Sequence, residues 1–237
     1  MTAAAHHFFV EPGAVDGERV TLRGDQARQI ASVLRLASGD EVVLVSSGDD
    51  LRVRLDHVAT DEVSGTVLFR KPNTAEPAVS LTLALPLLRG DRSEEVLEAV
   101  TQLGVSRIVP YTSERSVARE LSAAKRRRWE RIARESAETA RRGRVPEIAP
   151  LVSWSSLFDV LSPPVIVAWE GERERRLEVP EGAAALSLVV GPEGGVTEQE
   201  IALARDRGAT IVSLGPRNLR SETAAIAAVA VILASSA

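Results

Sequence analysis

The sequence predicts an α/β protein of two domains: a small all-β barrel, then an α/β domain built on a mainly parallel sheet. Three observations predict this. The 237 residues exceed one ordinary domain and suit two. Residues 1–72 consist of short runs rich in β-branched side chains, broken by Gly/Asp turns. From Ala78 onward, apolar strand-like runs alternate with helical patterns, the rhythm that builds a parallel sheet.

In the first part, residues 19–22, 41–45, 51–55 and 63–68 read as strands, with turns at Ser38-Gly39-Asp40 and Ser47-Gly48-Asp49-Asp50. Ile30, Val33 and Leu34 recur at helical spacing, so residues 26–36 read as the one helix among the strands. Short strands at this spacing predict a small barrel. The polar stretch Arg70-Lys71-Pro72-Asn73-Thr74-Ala75-Glu76-Pro77 reads as the connector, assigned to 73–78. The second domain then covers 79–237. Its strands are read at 79–85, 107–111, 165–169, 186–190 and 210–214, short apolar runs typical of strands buried on both faces. Its helices are read at 94–103, 125–142, 198–207 and 222–234.

Composition removes several functional classes. Hydrophobic residues at 44% and charged residues at 26% describe a soluble globular chain. The apolar run 224–234 falls short of the ~18 residues needed to cross a bilayer. No basic head precedes an apolar run at the start, so a cytoplasmic location is expected. The absence of cysteine rules out disulfides, thiolate metal sites and cysteine nucleophiles. His6, His7 and His57 are the only histidines, so the second domain can hold neither a His-based triad nor a His-rich metal site. No metal is expected. The pair His6-His7 reads as capping a strand or facing solvent. Net charge is −4, yet residues 105–145 hold twelve Lys/Arg against five Asp/Glu. A basic island on an acidic body is the asymmetry of a protein whose one face meets phosphates.

Two segments carry the chemistry. In Leu188-Val189-Val190-Gly191-Pro192-Glu193-Gly194-Gly195, a strand runs into a glycine-rich turn, and Thr197 with Glu200 forms a capping box for the next helix. Such glycines let backbone amides approach a ligand at the C-terminal edge of a parallel strand. An ordinary tight turn before a capped helix has the same pattern. The spacing matches neither the dinucleotide fingerprint nor the phosphate P-loop. In Ser213-Leu214-Gly215-Pro216-Arg217-Asn218-Leu219-Arg220-Ser221-Glu222, a second Gly-Pro turn follows a strand, and Ser221 reads as the cap of the Ala-rich helix behind it. Two such loops at one sheet edge predict opposite walls of one pocket.

These two loops closely resemble the signature loops of the RsmE family, the 16S rRNA uridine-N3 methyltransferases of the SPOUT superfamily. Further stretches resemble the family as well: His6-His7-Phe8-Phe9-Val10, Leu34-Arg35-Leu36, Leu103-Gly104-Val105-Ser106-Arg107, Ser113-Glu114-Arg115-Ser116 and Arg144-Val145-Pro146-Glu147-Ile148. Glu98-Ala99 and Glu138-Thr139-Ala140 depart from the usual family residues and leave the two loops untouched. The resemblance implies a PUA-like RNA-binding barrel, a SPOUT domain with a C-terminal trefoil knot, a homodimer, and S-adenosylmethionine folded into the knot. It implies that Gly191, Pro192, Glu193, Gly194 and Gly195, with Leu214, Gly215, Pro216, Arg217, Asn218, Leu219 and Ser221, hold the cofactor. The helix at 222–234, apolar nearly all round, suits the domain core or a dimer interface.

For the implied reaction, Arg217 or Arg220 is expected to stabilise the uridinate, and Glu193 or Glu222 to accept the N3 proton. Without cysteine, the covalent route to uracil C5 is closed, leaving N3 or a ribose oxygen. The expected partner is 16S rRNA within the 30S subunit, contacted by Arg35, Arg115, Arg119, Lys125, Arg126, Arg127, Arg128, Arg142 and Arg144. Pairs such as Arg126–Glu130 would equally make that basic helix an ordinary solvated one. Two alternatives stay open on sequence alone: another SPOUT RNA methyltransferase, acting on ribose or tRNA, and a non-catalytic RNA-binding factor.

Overall fold

The structure, a computed structural model, describes residues 6–180 and 182–235; residues 1–5, on which the reading of no leader partly rests, lie outside them. It divides into two units, Met1–Glu76 with Arg141–Arg144, and Pro77–Ala140 with Val145–Ala237.

The first unit is one six-stranded sheet. Its elements are β1 (His7–Phe9), β2 (Val15–Asp16), β3 (Arg19–Arg23), α1 (Asp25–Arg28), β4 (Glu41–Ser46), β5 (Asp49–Val58) and β6 (Glu62–Pro72). The strand order is β1-β4-β5-β6-β3-β2, antiparallel except for β1 beside β4. Successive side chains on a strand point to opposite faces. Val42 and Leu44 therefore join Leu51, Val53 and Leu55 on the buried face, with Phe8, Val20, Leu22, Ile30 and Val63. β5 carries an irregularity between Leu55 and His57, and Gly65 lies opposite it. A Cβ on Gly65 would stand 2.6 Å from the Arg54 carbonyl oxygen, so only glycine fits.

Several sequence expectations change here. The helix read over 26–36 is the four-residue α1 followed by a π-turn at Gln29–Val33, because Val33 faces solvent and Arg35 has φ 55°. Residues 70–72 belong to β6 rather than to the connector, since Asp49 and Asp50 of β5 pair with Pro72 and Lys71. His7 neither caps a strand nor faces solvent. It lies within β1, buried, with Nε2 3.4 Å from Asp50 Oδ1, and burial lowers its pKa.

The second unit holds a fully parallel sheet of β7 (Ser80–Pro86), β8 (Arg107–Thr112), β9 (Glu147–Ile148), β10 (Val152–Ser153), β11 (Val165–Ala168), β12 (Ala185–Val190) and β13 (Thr210–Val212). Its order is β10-β8-β7-β12-β11-β13, with β9 beside β8. Helices α2 (Arg92–Leu103), α3 (Ala123–Thr139), α4 (Trp154–Val160), α5 (Glu198–Asp206) and α6 (Ser221–Ala234) complete it. Each face of the sheet has its own core. Leu81, Leu83, Leu85, Leu186 and Leu188 pack with α2, α3 and α6 around Trp129, while Ala84, Val109 and Val189 pack with Trp154, Leu157 and Ile201. Near-continuous apolar strands are what burial on both faces demands. Ala224, Ala225, Ala228, Val229, Ile232 and Leu233 of α6 lie in the first of these cores, whereas Thr223, Ala227, Val231 and Ala234 are exposed. Among the described residues, no helix is long and apolar enough to cross a membrane.

Helix ends follow local chemistry. The Thr197–Glu200 capping box is present in both directions, and Ser122 caps α3 by accepting from Lys125 N at 3.2 Å. Ser221 does not cap α6: it is the first helical residue, and the cap position belongs to Arg220, with no side-chain cap. The helix read over 125–142 stops at Thr139. Arg141 turns left-handed at φ 56°, and Arg142 is drawn to Glu76. That pair lies inside the first unit. The Glu76 carboxylate accepts from Arg142 Nη2 at 2.8 Å and Nε at 3.2 Å, and from the backbone N–H of Gly143 at 3.0 Å and of Arg144 at 3.3 Å.

Arg142 is 1% exposed. Glu76→Ala removes the carboxylate that meets this buried guanidinium and is expected to lower stability by about 3–5 kcal/mol. The midpoint of urea unfolding reads this directly, and an unchanged midpoint would count against the assignment.

Candidate active site

β12 ends buried at Val190, whose carbonyl accepts from the hydroxyl of Tyr111 on β8 at 2.6 Å. This bond fixes the level at which the chain leaves the sheet. Gly191 follows, and the turn Pro192–Gly195 closes by a bond from Gly195 N to Pro192 O at 2.9 Å. Gly195 has φ +74°, which favours glycine. A Cβ at Gly194 would stand 2.8 Å from Arg115 Cβ and 2.9 Å from its carbonyl oxygen, so the turn lies flat on the loop after β8. Arg115 Nη1 also donates to Gly194 O at 3.2 Å.

The second loop leaves β13, two strands away along the same sheet edge. Ser213 N donates to Arg175 O at 2.7 Å, which ties the loop to the segment after β11. Gly215 turns the chain at φ +113°, and α6 begins six residues later at Ser221. The segment after β11 forms a third wall with Ala168, Trp169, Glu170 and Arg173. Trp169 Nε1 donates to Val196 O at 3.3 Å. Glu172 accepts from the backbone N–H groups of Arg173, Glu174 and Arg175; these bonds lower its pKa, that from Glu174 foremost.

Between these walls lies a cavity of about 770 Å³, within the roughly 300–1,000 Å³ of small-molecule pockets. The structure brings both sequence-predicted loops together there, Gly191–Gly195 on one side and Leu214–Ser221 on the other. Among the described residues, the backbone N–H groups of Arg217, Asn218 and Leu219 have no partner. Val190, Leu214, Leu219 and Ala224 supply apolar wall. The pocket thus offers free backbone donors, an apolar slot, the carboxylates of Glu170 and Glu193, and four guanidiniums. This is a set for an uncharged heterocycle joined to charged groups.

The predicted acid–base residues separate. Glu193 lines the cavity, and its Oε1 accepts from Arg89 N at 2.9 Å and stands 3.6 Å from Arg92 Nη1. Glu222 lies behind the wall; its Oε1 is 4.0 Å from Arg92 and 3.9 Å from Arg220, and its Oε2 is buried without a hydrogen-bond partner. Arg217 and Arg220 both line the cavity. Arg92, Glu170 and Arg173 were missed. Arg92 follows β7 in Arg89-Gly90-Asp91-Arg92, and the rule that ligands sit at C-terminal strand edges could have found it.

The basic residues are less free than the charge count implied. Arg142 is a correction: it is buried on Glu76 and cannot face a phosphate in this arrangement. Arg126 donates to the carbonyls of Ile148 and Ala149 and to Glu130, and Arg128 pairs with Glu94 at 2.6 Å. Arg119 holds the carbonyls of Ser113 and Glu114, Lys125 that of Gly90, and Arg144 pairs with Glu76. Arg35 and Arg127 are exposed, with no partner among the described residues.

A family model described as an RNA methyltransferase domain matches residues 75–233. A ribosomal RNA small subunit methyltransferase E of Bacillus subtilis is 30% identical over 228 residues, covering 90% of this chain and 88% of the relative. One from Mycobacterium tuberculosis is 30% identical over 237 residues, covering 95% and 90%. The crystal structure of a ribosomal RNA small subunit methyltransferase E from Neisseria gonorrhoeae bound to S-adenosyl methionine superposes with a TM-score of 0.89 at 28% identity, covering 98% of each chain.

Tyr111 is the only tyrosine, and its phenol is fully buried. Burial, then the charges of Glu200 and Glu170, push its pKa well above the ordinary value. The folded state thus holds this proton more tightly than the unfolded chain. The resulting stability is complete below about pH 10 and is lost as pH climbs from there. In an alkaline titration, tyrosinate absorbance should therefore appear only with unfolding; a phenol that titrates normally in the folded protein would contradict the buried bond to Val190.

Proposed function

Because the chain belongs to the RNA methyltransferase family that includes the ribosomal RNA small subunit methyltransferase E proteins, we propose that it methylates N3 of a uridine in 16S rRNA of the small ribosomal subunit, using S-adenosylmethionine. The observation that carries this reading is the pairing of the two signature loops around one cavity at the C-terminal edge of the parallel sheet.

The residues present fit the cofactor. The unpartnered N–H groups of Arg217, Asn218 and Leu219 suit the edge of a nucleobase, and Val190, Leu214, Leu219 and Ala224 suit its faces. Glu170 suits a ribose hydroxyl or an ammonium group. When bound, S-adenosylmethionine supplies an electrophilic methyl carbon, which calls for little beyond in-line positioning. The protein's own task is the uridine. N3 carries a proton and is a poor nucleophile until that proton leaves and charge spreads to O2 and O4. Of the two candidate carboxylates, Glu193 has the better position to take it, directly or through water. It lines the cavity, and its Oε2 makes no hydrogen bond to any described residue. The guanidinium of Arg217 or of Arg220 stabilises charge left on the ring, since it stays ionised at any working pH.

The remaining features are read from the resemblance. A trefoil knot is supported by the path of the chain. β13 sits at the sheet edge beside β11, yet α6 returns to pack on α2, β7 and β12. A PUA-like barrel is supported by the six-stranded sheet and its single core. The exposed stripe Thr223, Ala227, Val231 and Ala234 along α6 supports a homodimer. Arg35, Arg127 and the outer basic residues of α3 are read as RNA contacts, and the location as cytoplasmic.

Methyl transfer from labelled S-adenosylmethionine to 30S subunits that lack the modification, followed by nucleoside mass spectrometry, tests the reaction. 3-Methyluridine is expected. A ribose-methylated nucleoside would leave the cofactor reading and overturn the target, and no product despite cofactor binding would overturn the substrate.

A further inference from the structure

Arg92 stands at the cavity between two acids. It opens α2 and is 40% exposed at the side chain. Its nearest carboxylate atoms are Glu193 Oε1 at 3.6 Å and Glu222 Oε1 at 4.0 Å. Both distances exceed hydrogen-bonding range, and its guanidinium donates no hydrogen bond to any described residue. Two acids therefore hold the group in place while its N–H donors stay available.

Glu222 connects this group to the second loop. The same Oε1 stands 3.9 Å from Arg220 Nη1, whose side chain is 74% exposed. Glu222 itself is not on the cavity wall, and its other oxygen is buried with no hydrogen-bond partner among the described residues. A carboxylate in this position cannot reach a substrate proton, but it can hold two guanidiniums at a fixed spacing. Placed in the first turn of α6, its charge is also favoured by the helix. The two arginines thus come from helices α2 and α6 and converge through one shared counter-ion.

Both line the cavity and keep their side chains partly open to solvent. A base carried on a polynucleotide must enter from solvent, whereas a small cofactor can occupy the inner slot. The ring that reacts develops negative charge on two oxygens flanking N3, one for each guanidinium. Resting on the uridine-N3 reading above, we propose that Arg92 and Arg220 clamp O2 and O4 of the uracil, with Glu222 as the positioning residue that couples them. Arg92 then joins the residues that touch substrate, although the signature loops do not contain it.

The test compares wild type, Arg92→Ala, Arg92→Lys and Glu222→Gln on unmethylated 30S subunits carrying either uridine or 5-fluorouridine, with S-adenosylmethionine affinity measured by calorimetry. Fluorine at C5 makes N3 more acidic, so the ring needs less help from the protein. Loss of one such donor costs about 100-fold or more in turnover, and Arg92→Ala is expected to show this while cofactor affinity stays within about threefold. The deficit should shrink by about tenfold on fluorinated RNA, following the linear relation between stabilisation and rate. Arg92→Lys keeps the charge but loses the fork, and should fall between alanine and wild type. Glu222→Gln should lower turnover with the same fluorine dependence, as expected of a group that acts through the arginines. Equal deficits on both RNAs, or a parallel loss of cofactor affinity, would overturn the proposal. If wild type makes no 3-methyluridine, the reading of the reaction fails; if it does and Arg92→Ala and Arg92→Lys match it, only the clamp fails.

Discussion

The hydrogen bond from Tyr111 to the Val190 carbonyl is the constraint on which the cavity depends. It joins β8 to the last residue of β12, two strands away, in a region without solvent. A buried phenol cannot be left without a partner, nor can a carbonyl at a strand end. Each therefore fixes the other. Once Val190 is fixed, Gly191 must begin the turn there, and Gly194 comes flat against Arg115. Trp169 braces the far side through Val196. The cavity inherits its shape from these buried contacts, which leaves its own polar groups free for a ligand.

The parts of the fold that the sequence made legible are those coded locally. The apolar strands of the parallel sheet, the Gly-Pro turns and the Thr197–Glu200 box each announce themselves within a few residues, and all of them stand where the pattern put them. What escaped depends on contacts far apart in the chain. Residues 70–72 look like a connector until β5 supplies partners for them. Ser221 has the chemistry of a cap, but the chain enters α6 one residue earlier. His7 looked like an exposed terminal histidine because nothing near it in sequence shows that Asp50 and the core would receive it. At the cavity both loops were legible, whereas Arg92, about a hundred residues upstream of Glu193, becomes part of the site only through the sheet.

Charge illustrates the same limit. A count over residues 105–145 gives a strongly basic island, yet structure spends much of it. Arg126 satisfies two carbonyls at the end of β9, Arg128 neutralises the buried Glu94, and Arg142 belongs to the interior. Guanidinium suits these tasks because its planar fork serves several acceptors at once. The residues left to meet a polyanion are fewer and lie further apart than the sequence implied. Recognition of an RNA would then rest on shape and on scattered phosphate contacts more than on a continuous basic stripe.

The Glu76–Arg142 pair has a consequence for synthesis. The two residues are 66 positions apart, and the segment carrying Arg142 belongs to the first unit although much of the second precedes it in the chain. A ribosome therefore releases the whole β-sheet well before the piece that completes it. Until α2, β8 and α3 have also emerged, Glu76 has no buried partner and the N-terminal unit lacks its last element. The N-terminal unit cannot finish folding as an early, independent event, so its completion is tied to the growth of the domain that follows. Genetic dissection meets the same constraint: a fragment cut after Glu76 carries every strand of the sheet but not the cation its own carboxylate is built to hold.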